Sequence, residues 1–154
     1  MLKALRFANL VLVTLIFGLA WCHVMEIAGK LRFDSVQWLA VQHNLYIAFG
    51  WPVRAAIELG AVGTSWWLFA LVRRRRPAAG WTLAAAVATT LGLAAWFWPV
   101  APMNAIIAGW TPQTISPDWE AVRNQWEAGH AVHAALFGLG FGALVAALLA
   151  ETPL

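Results

Sequence analysis

The sequence predicts an all-α fold, an integral membrane four-helix bundle forming one domain. Three features of the 154 residues predict it. Apolar side chains make up 62% of the chain and charged ones only 11%, with a mean hydropathy of +0.69. That balance leaves more apolar surface than a soluble domain of this size buries. The apolar residues fall in runs long enough to cross a bilayer, which takes about 20 residues each. Most of the charge is confined to short stretches between those runs. The length allows a single bundle and no second domain. The lone Cys22 excludes an internal disulfide and a cysteine-based zinc site.

The first span is expected at about residues 7–27, behind Lys3 and Arg6. A basic start before an apolar stretch also describes a secretory signal. This run is long enough to span, however, and no Ala-x-Ala cleavage site follows it. A short polar linker, Gly29-Lys30-Leu31-Arg32-Phe33-Asp34, leads to a second helix capped by Asp34 or Ser35. That helix is read as continuing to Val72, with its membrane part at 44–72 and a bend at Pro52. Its first turns, with Gln37, Gln42, His43 and Asn44, project beyond the hydrocarbon or lie at its edge.

The third span is expected at 81–100, where Ala84, Ala88 and Gly92 make a small-residue ridge suited to close helix contact. A loop bearing Asn104 and Trp110-Thr111-Pro112 follows. Ser116-Pro117 reads as a helix start, a capping hydroxyl before a proline at the first helical position. The fourth helix then runs from Pro117 to about Ala150, spanning at 124–149, with Gly138 and Gly142 as a packing notch.

Basic residues set the orientation. Lys3, Arg6 and Arg73 to Arg76 fall on one side, against Lys30, Arg32 and Arg123 on the other, so both termini are expected in the cytoplasm, with the chain in the inner membrane. Four consecutive arginines also raise nucleic acid, but between two apolar runs they are a topological signal, and no nucleic-acid partner is expected. The eleven tryptophans fit interfacial belts. The expected partners are the lipid bilayer, an apolar small molecule, and further copies of the chain or a membrane complex.

With four alternating spans, all four histidines fall in the outer half. His23 and Glu26 end the first span, His43 and Asn44 start the second helix, and Glu127, His130 and His133 start the fourth. Residues three apart are neighbours on a helix surface, which pairs His23 with Glu26 and Glu127 with His130. Ionisable groups in or at the rim of a span are costly and so mark a site. Imidazole and carboxylate reaching inward from facing helices suit a metal. The candidate ligands are His23, Glu26, His43, His130 and His133, and the set fits a single transition metal (zinc, iron or copper) better than a di-iron centre. Haem held by two of the histidines is a lesser alternative, and a site with no cofactor is a third. A purely structural reading has the histidines bonded to neighbouring helices and Glu127 serving the positive helix start. Deeper in the membrane, Arg54 and Glu58 should pair across one turn. They either stabilise the bundle or anchor an acidic or phenolic ligand, which makes them candidate substrate-binding residues. Asn9 and Cys22 are read as structural.

Pro102-Met103-Asn104, Trp110, Asp118-Trp119, Arg123, Trp126-Glu127 and His130 resemble the pattern of a family of small four-span membrane proteins. That family is largely a domain of unknown function and includes the anthrone oxygenases of polyketide pathways. The likeness covers roughly the last third of the chain and agrees more loosely with His23-x-x-Glu26; His133 departs from the pattern. The resemblance implies oxidation of a phenolic, anthrone-like substrate by dioxygen, with Asn104, Trp126 and His130 lining the reactive pocket. A histidine would take a proton from an acidic carbon or phenol, and an amide would hold the resulting oxyanion. Glu127 joins these three as the expected catalytic group. The expectation is therefore a membrane oxidoreductase of the oxygenase type, working with or without a metal. The alternative is a non-catalytic membrane subunit that binds a metal, haem or lipid-like ligand and supports a partner complex.

Overall fold

A computed structural model describes residues 1–46 and 52–152. Helices α1 (Leu2–Lys30), α3 (Val53–Val72) and α6 (Trp119–Leu149), with α4 (Ala78–Ala95) and α5 (Ala101–Ala108) joined by a π-helical turn at Trp96–Val100, make four elements long and apolar enough to cross a membrane. A short helix, α2 (Ser35–Val41), runs on into a second π-helical turn at Gln42–Tyr46. The four long elements close a square in which α1 touches α3 and α6, and α4 touches α3 and α6. Neighbours in sequence are neighbours in space and antiparallel, as short connections dictate. The chain is thus an all-α bundle and an integral membrane protein by the length and apolarity of its helices.

The solvent of the bundle is legible in what its outside carries. Leu59 is 58% exposed and Leu139 66% exposed, and Leu15, Leu83, Val87 and Leu91 also point outward from mid-helix. A water-soluble bundle would bury these side chains, whereas a lipid-facing one has no reason to. Inside lie Val13, Ile16, Ala61, Leu68, Val72 and Phe137, all at most 3% exposed. Small residues admit close contact. A Cβ on Gly92 would meet the Phe137 ring at 2.6 Å, one on Gly140 the Thr89 methyl at 2.9 Å, and one on Gly138 the Phe17 ring at 2.9 Å. The α4 ridge that packs is therefore Ala85, Thr89 and Gly92 rather than the expected Ala84 and Ala88, and Gly142 faces open space instead of forming a notch. One buried polar cluster ties α1 to α3. The Asn9 amide nitrogen donates to the Ala61 carbonyl at 3.1 Å and to the hydroxyls of Thr64 and Ser65, both at 2.9 Å. Asn9 is structural, as expected, and its partners are now defined.

The boundaries depart from the sequence reading for local reasons. α1 starts before Lys3 and extends through Gly29 and Lys30, because nothing in that stretch breaks a helix. Asp34 caps α2 as expected, accepting from the Gln37 amide at 2.8 Å while the Gln37 side chain accepts from the Asp34 amide. α2 gives way to a π-helical turn at Gln42–Tyr46, and α3, capped by Pro52, runs on to Val72. The part of the expected 44–72 span at 47–51 lies outside the described residues. In the third span Pro99 has no N–H to give, and the chain takes it up by widening the turn at Trp96–Val100 and continuing to Ala108. Asn104 consequently sits on a helix and not in a loop. Ser116 does not cap α6; its hydroxyl bonds the Asp118 carboxylate, and the helix starts at Trp119.

Lys3, Arg6 and Arg73 to Arg76 mark one end of the bundle, where Arg6 pairs with Glu151 at 2.6 Å and joins the two termini. Beyond the other end, α2, α5 and the overhanging turns of α1 and α6 build a second core around Trp38, Leu39, Val100, Met103, Ile107 and Trp126. This aromatic cap positions the site.

Candidate functional site

A cavity of about 840 Å³ lies between the bundle and its cap, walled by α1, the Gln42–Tyr46 turn, α3, the Trp96 turn, α5 and α6. Its depth follows from helix geometry. From the basic end, Arg6 to His23, Val72 to Arg54, Pro77 to Trp96 and Leu149 to His130 are each about 25–29 Å along their helices. The hydrocarbon core is about 30 Å thick, so the cavity sits at the far boundary of the membrane. Its volume is within the range of sites for drug-sized molecules, about 300–1,000 Å³.

At its centre the imidazoles of His23 and His130 face one another, with ring centroids 4.2 Å apart and planes 35° from parallel. Trp126 sets its ring against both, at 5.2 Å and 4.2 Å, and Tyr46 stacks on Trp126 at 5.5 Å. The Trp126 indole donates to Asn104 Oδ1 at 2.7 Å. An indole N–H can only donate, so this bond fixes the amide and leaves the Asn104 nitrogen as a donor beside the cavity. His130 Nδ1 is buried and has no hydrogen-bond partner among the described residues. Such an orphan in a cavity wall marks where a ligand's polar atom can go. The position of His130 is set from behind: a Cβ on Gly129 would stand 2.7 Å from a Val100 methyl and 3.0 Å from Pro99 Cγ. Gly129→Ala should therefore push α6 off the Pro99 turn and destabilise the protein by about 1–3 kcal/mol. Thermal unfolding in detergent measures this, and an unchanged midpoint would show that the contact yields freely.

The structure sorts the expected site residues into three groups. His23, Glu26, His43, Arg54, Asn104, Trp126 and His130 all line the cavity. Glu127 belongs elsewhere. Expected beside His130, its Oε2 instead accepts from Lys30 Nζ at 2.9 Å, and both side chains are buried. The same ammonium is 3.7 Å from Glu26 Oε2 and lies over the rings of Trp126 and Tyr46 at 4.8 and 5.3 Å. Glu26 also accepts from the Tyr46 hydroxyl and stands 3.9 Å from His23 Nδ1. Burial first, and the Glu26 carboxylate second, hold that phenol above the usual tyrosine range, so Tyr46 remains a donor. His133 lies one turn deeper, its Nδ1 3.0 Å from the Gly92 carbonyl and its Nε2 3.7 Å from Glu58 Oε1. The Arg54–Glu58 pair forms as expected, at 3.8 Å.

For the expected metal ligands this has a direct consequence. His43 Nε2 is 3.0 Å from the Ile107 carbonyl, both carboxylates lean on Lys30, and His133 is turned to Glu58. Among the described residues no three His, Cys, Asp or Glu side chains are grouped to hold a metal ion. The cation between Glu26 and Glu127 is the lysine ammonium.

Sequence reasoning missed Lys30, Tyr46 and Trp96. Lys30 carried a signal, since it stands four residues after Glu26, the spacing of an intrahelical ion pair. Tyr46 is the chain's single tyrosine, and Trp96, whose ring lies 5.5 Å from the Arg54 guanidinium, had no spacing to recommend it. Comparison with protein-family models, with curated proteins and with solved structures finds no match for this chain.

Proposed function

We propose that the chain is a membrane oxidoreductase of the oxygenase type, acting on a flat, apolar phenolic molecule that enters the boundary cavity from the lipid. The observation that carries this reading is the His23–His130 ring pair in a cavity walled by Trp126, Tyr46 and the oriented amide of Asn104. The resemblance of Pro102-Met103-Asn104 and Trp126-Glu127-x-x-His130 to the anthrone-oxygenase pattern points the same way. In the orientation that positive charge favours, both termini and the arginine cluster face the cytoplasm of the inner membrane and the cavity faces outward.

The chemistry asked of these residues is modest. A ring methylene flanked by two aryl groups, with a carbonyl across the ring, is acidic, because its carbanion is an aromatic phenolate. One imidazole of the pair removes that proton, and the Asn104 amide donates to the developing oxyanion. Dioxygen then oxidises the carbanion; overall one methylene and one O₂ become one carbonyl and one water. The aromatic walls hold the ring and keep bulk water from the carbanion. In this reading Glu127 with Lys30 orients Trp126 and does not touch the substrate.

Purified protein in detergent, given anthrone under air, tests the reading. Protein-dependent oxygen uptake matched by the absorbance of the quinone is expected. Uptake no faster than in protein-free detergent would remove it. Metal analysis of the same preparation separates the two versions of the mechanism: activity independent of metal content supports the imidazole-only version, and activity that tracks metal content replaces it with a metal-assisted one.

A further inference from the structure

We propose that Arg54 is the receptor for an acidic oxygen on the ligand, so that the cavity selects aromatic molecules carrying a carboxylate or phenolate at one end. The inference rests on the cavity's binding a ligand, as in the proposed function, but not on any oxidation.

Arg54 is held from two sides and open on a third. Its Nε faces Glu58 Oε2 at 3.8 Å, its guanidinium lies over the Trp96 ring at 5.5 Å, and its side chain lines the cavity. No hydrogen bond from its terminal nitrogens to the described residues is formed. A guanidinium has five N–H donors in a planar fork that matches a carboxylate edge. At the membrane boundary such an open fork can take an acidic oxygen from the cavity. The Glu58 contact, at 3.8 Å, is longer than a hydrogen bond, so it balances the charge without occupying the fork.

Arg54 is the one arginine or lysine in the cavity wall among the described residues. His133 faces Glu58 from α6, His23 and His130 stand on α1 and α6, and Lys30 is farther off behind Trp126. Gly92 on α4 contributes only its carbonyl, which is taken by His133. Among the described residues the one carboxylate in the cavity wall is Glu26, already shared between Tyr46 and Lys30. An acidic oxygen at Arg54 would leave the apolar body of the ligand against Trp96 and Ile107 and its far edge near the histidine pair. Arg54 would then set which way round a ring enters.

Anthracene-9-carboxylate and its methyl ester, titrated into the purified protein with tryptophan quenching as readout, test this. The acid should bind the wild type about tenfold or more tighter than the ester, the size of one charge-assisted contact. Arg54→Met should abolish that preference while ester binding persists, and Glu58→Gln, which removes the competing carboxylate, should enlarge it. Equal affinity of acid and ester for the wild type overturns the Arg54 assignment and leaves the cavity intact. Binding of neither probe overturns both the assignment and the cavity reading. The wild-type comparison stands even where a variant fails to fold.

Discussion

Replacing Lys30 with methionine should destabilise the protein by about 3–5 kcal/mol, the usual cost of stranding a buried charge. Lys30 is 3% exposed, yet it balances two carboxylates, Glu127 at 2.9 Å and Glu26 at 3.7 Å. Methionine fills the same space and keeps the apolar stem, so any loss reports the ammonium. Without it the buried Glu127 loses its cation, and the Trp126 and Tyr46 rings lose the ammonium they lean on. The double variant Lys30→Met, Glu127→Gln should recover most of the stability, since the strongest uncompensated charge is gone with its partner. Thermal unfolding in one detergent, followed by size-exclusion chromatography, reads both. A single variant as stable as the wild type, or a double variant no better than the single, would show that this cluster does not hold the cap on the bundle.

The legible and illegible parts of this chain divide along a physical line. A span is written in the composition of a long stretch, so four helices and their antiparallel order were readable from apolar runs and the arginine cluster. Register within a helix is finer. The ridge on α4 was read one position off, at Ala84 and Ala88 rather than Ala85 and Thr89, because alanine surrounds it on every side and composition gives no phase. Pro52 reads as a bend, but Pro99 carries no reading of its own; the widened turn there depends on what packs against it, and that Gly129 presses on Pro99 does not show in sequence. The gathering of His23, Asn104 and His130 around one cavity follows from span topology, while Trp126 enters through the family resemblance. Sequence pairs Glu127 with His130 because the neighbour along the helix is visible in it and the neighbour across the bundle is not. Lys30 approaches from 97 residues away, on a stretch that reads as linker. An ion pair outcompeted the imidazole for that carboxylate, as Coulomb attraction to a full charge should.

His130→Ala should lower the rate of anthrone oxidation about 10²–10⁴-fold, the range for loss of a positioned general base. Binding of anthracene-9-carboxylate should change far less, because the ring leaves Trp96, Trp126 and Arg54 in place in the wall. The split between rate and binding is what distinguishes a base from a packing residue. His130 is 2% exposed, and its removal opens space beside His23 and Trp126, so a purely structural role would weaken binding and stability along with rate. His23→Ala is the necessary companion. The two rings face each other at 4.2 Å, and either could take the proton with the other orienting it. If they act as one unit, each single variant should lose nearly as much rate as the double, since removing either partner disables the pair. Independent losses that multiply in the double variant would instead mean two separate roles. Turnover unchanged in His130→Ala would move the chemistry away from this ring and leave the cavity as a binding site alone.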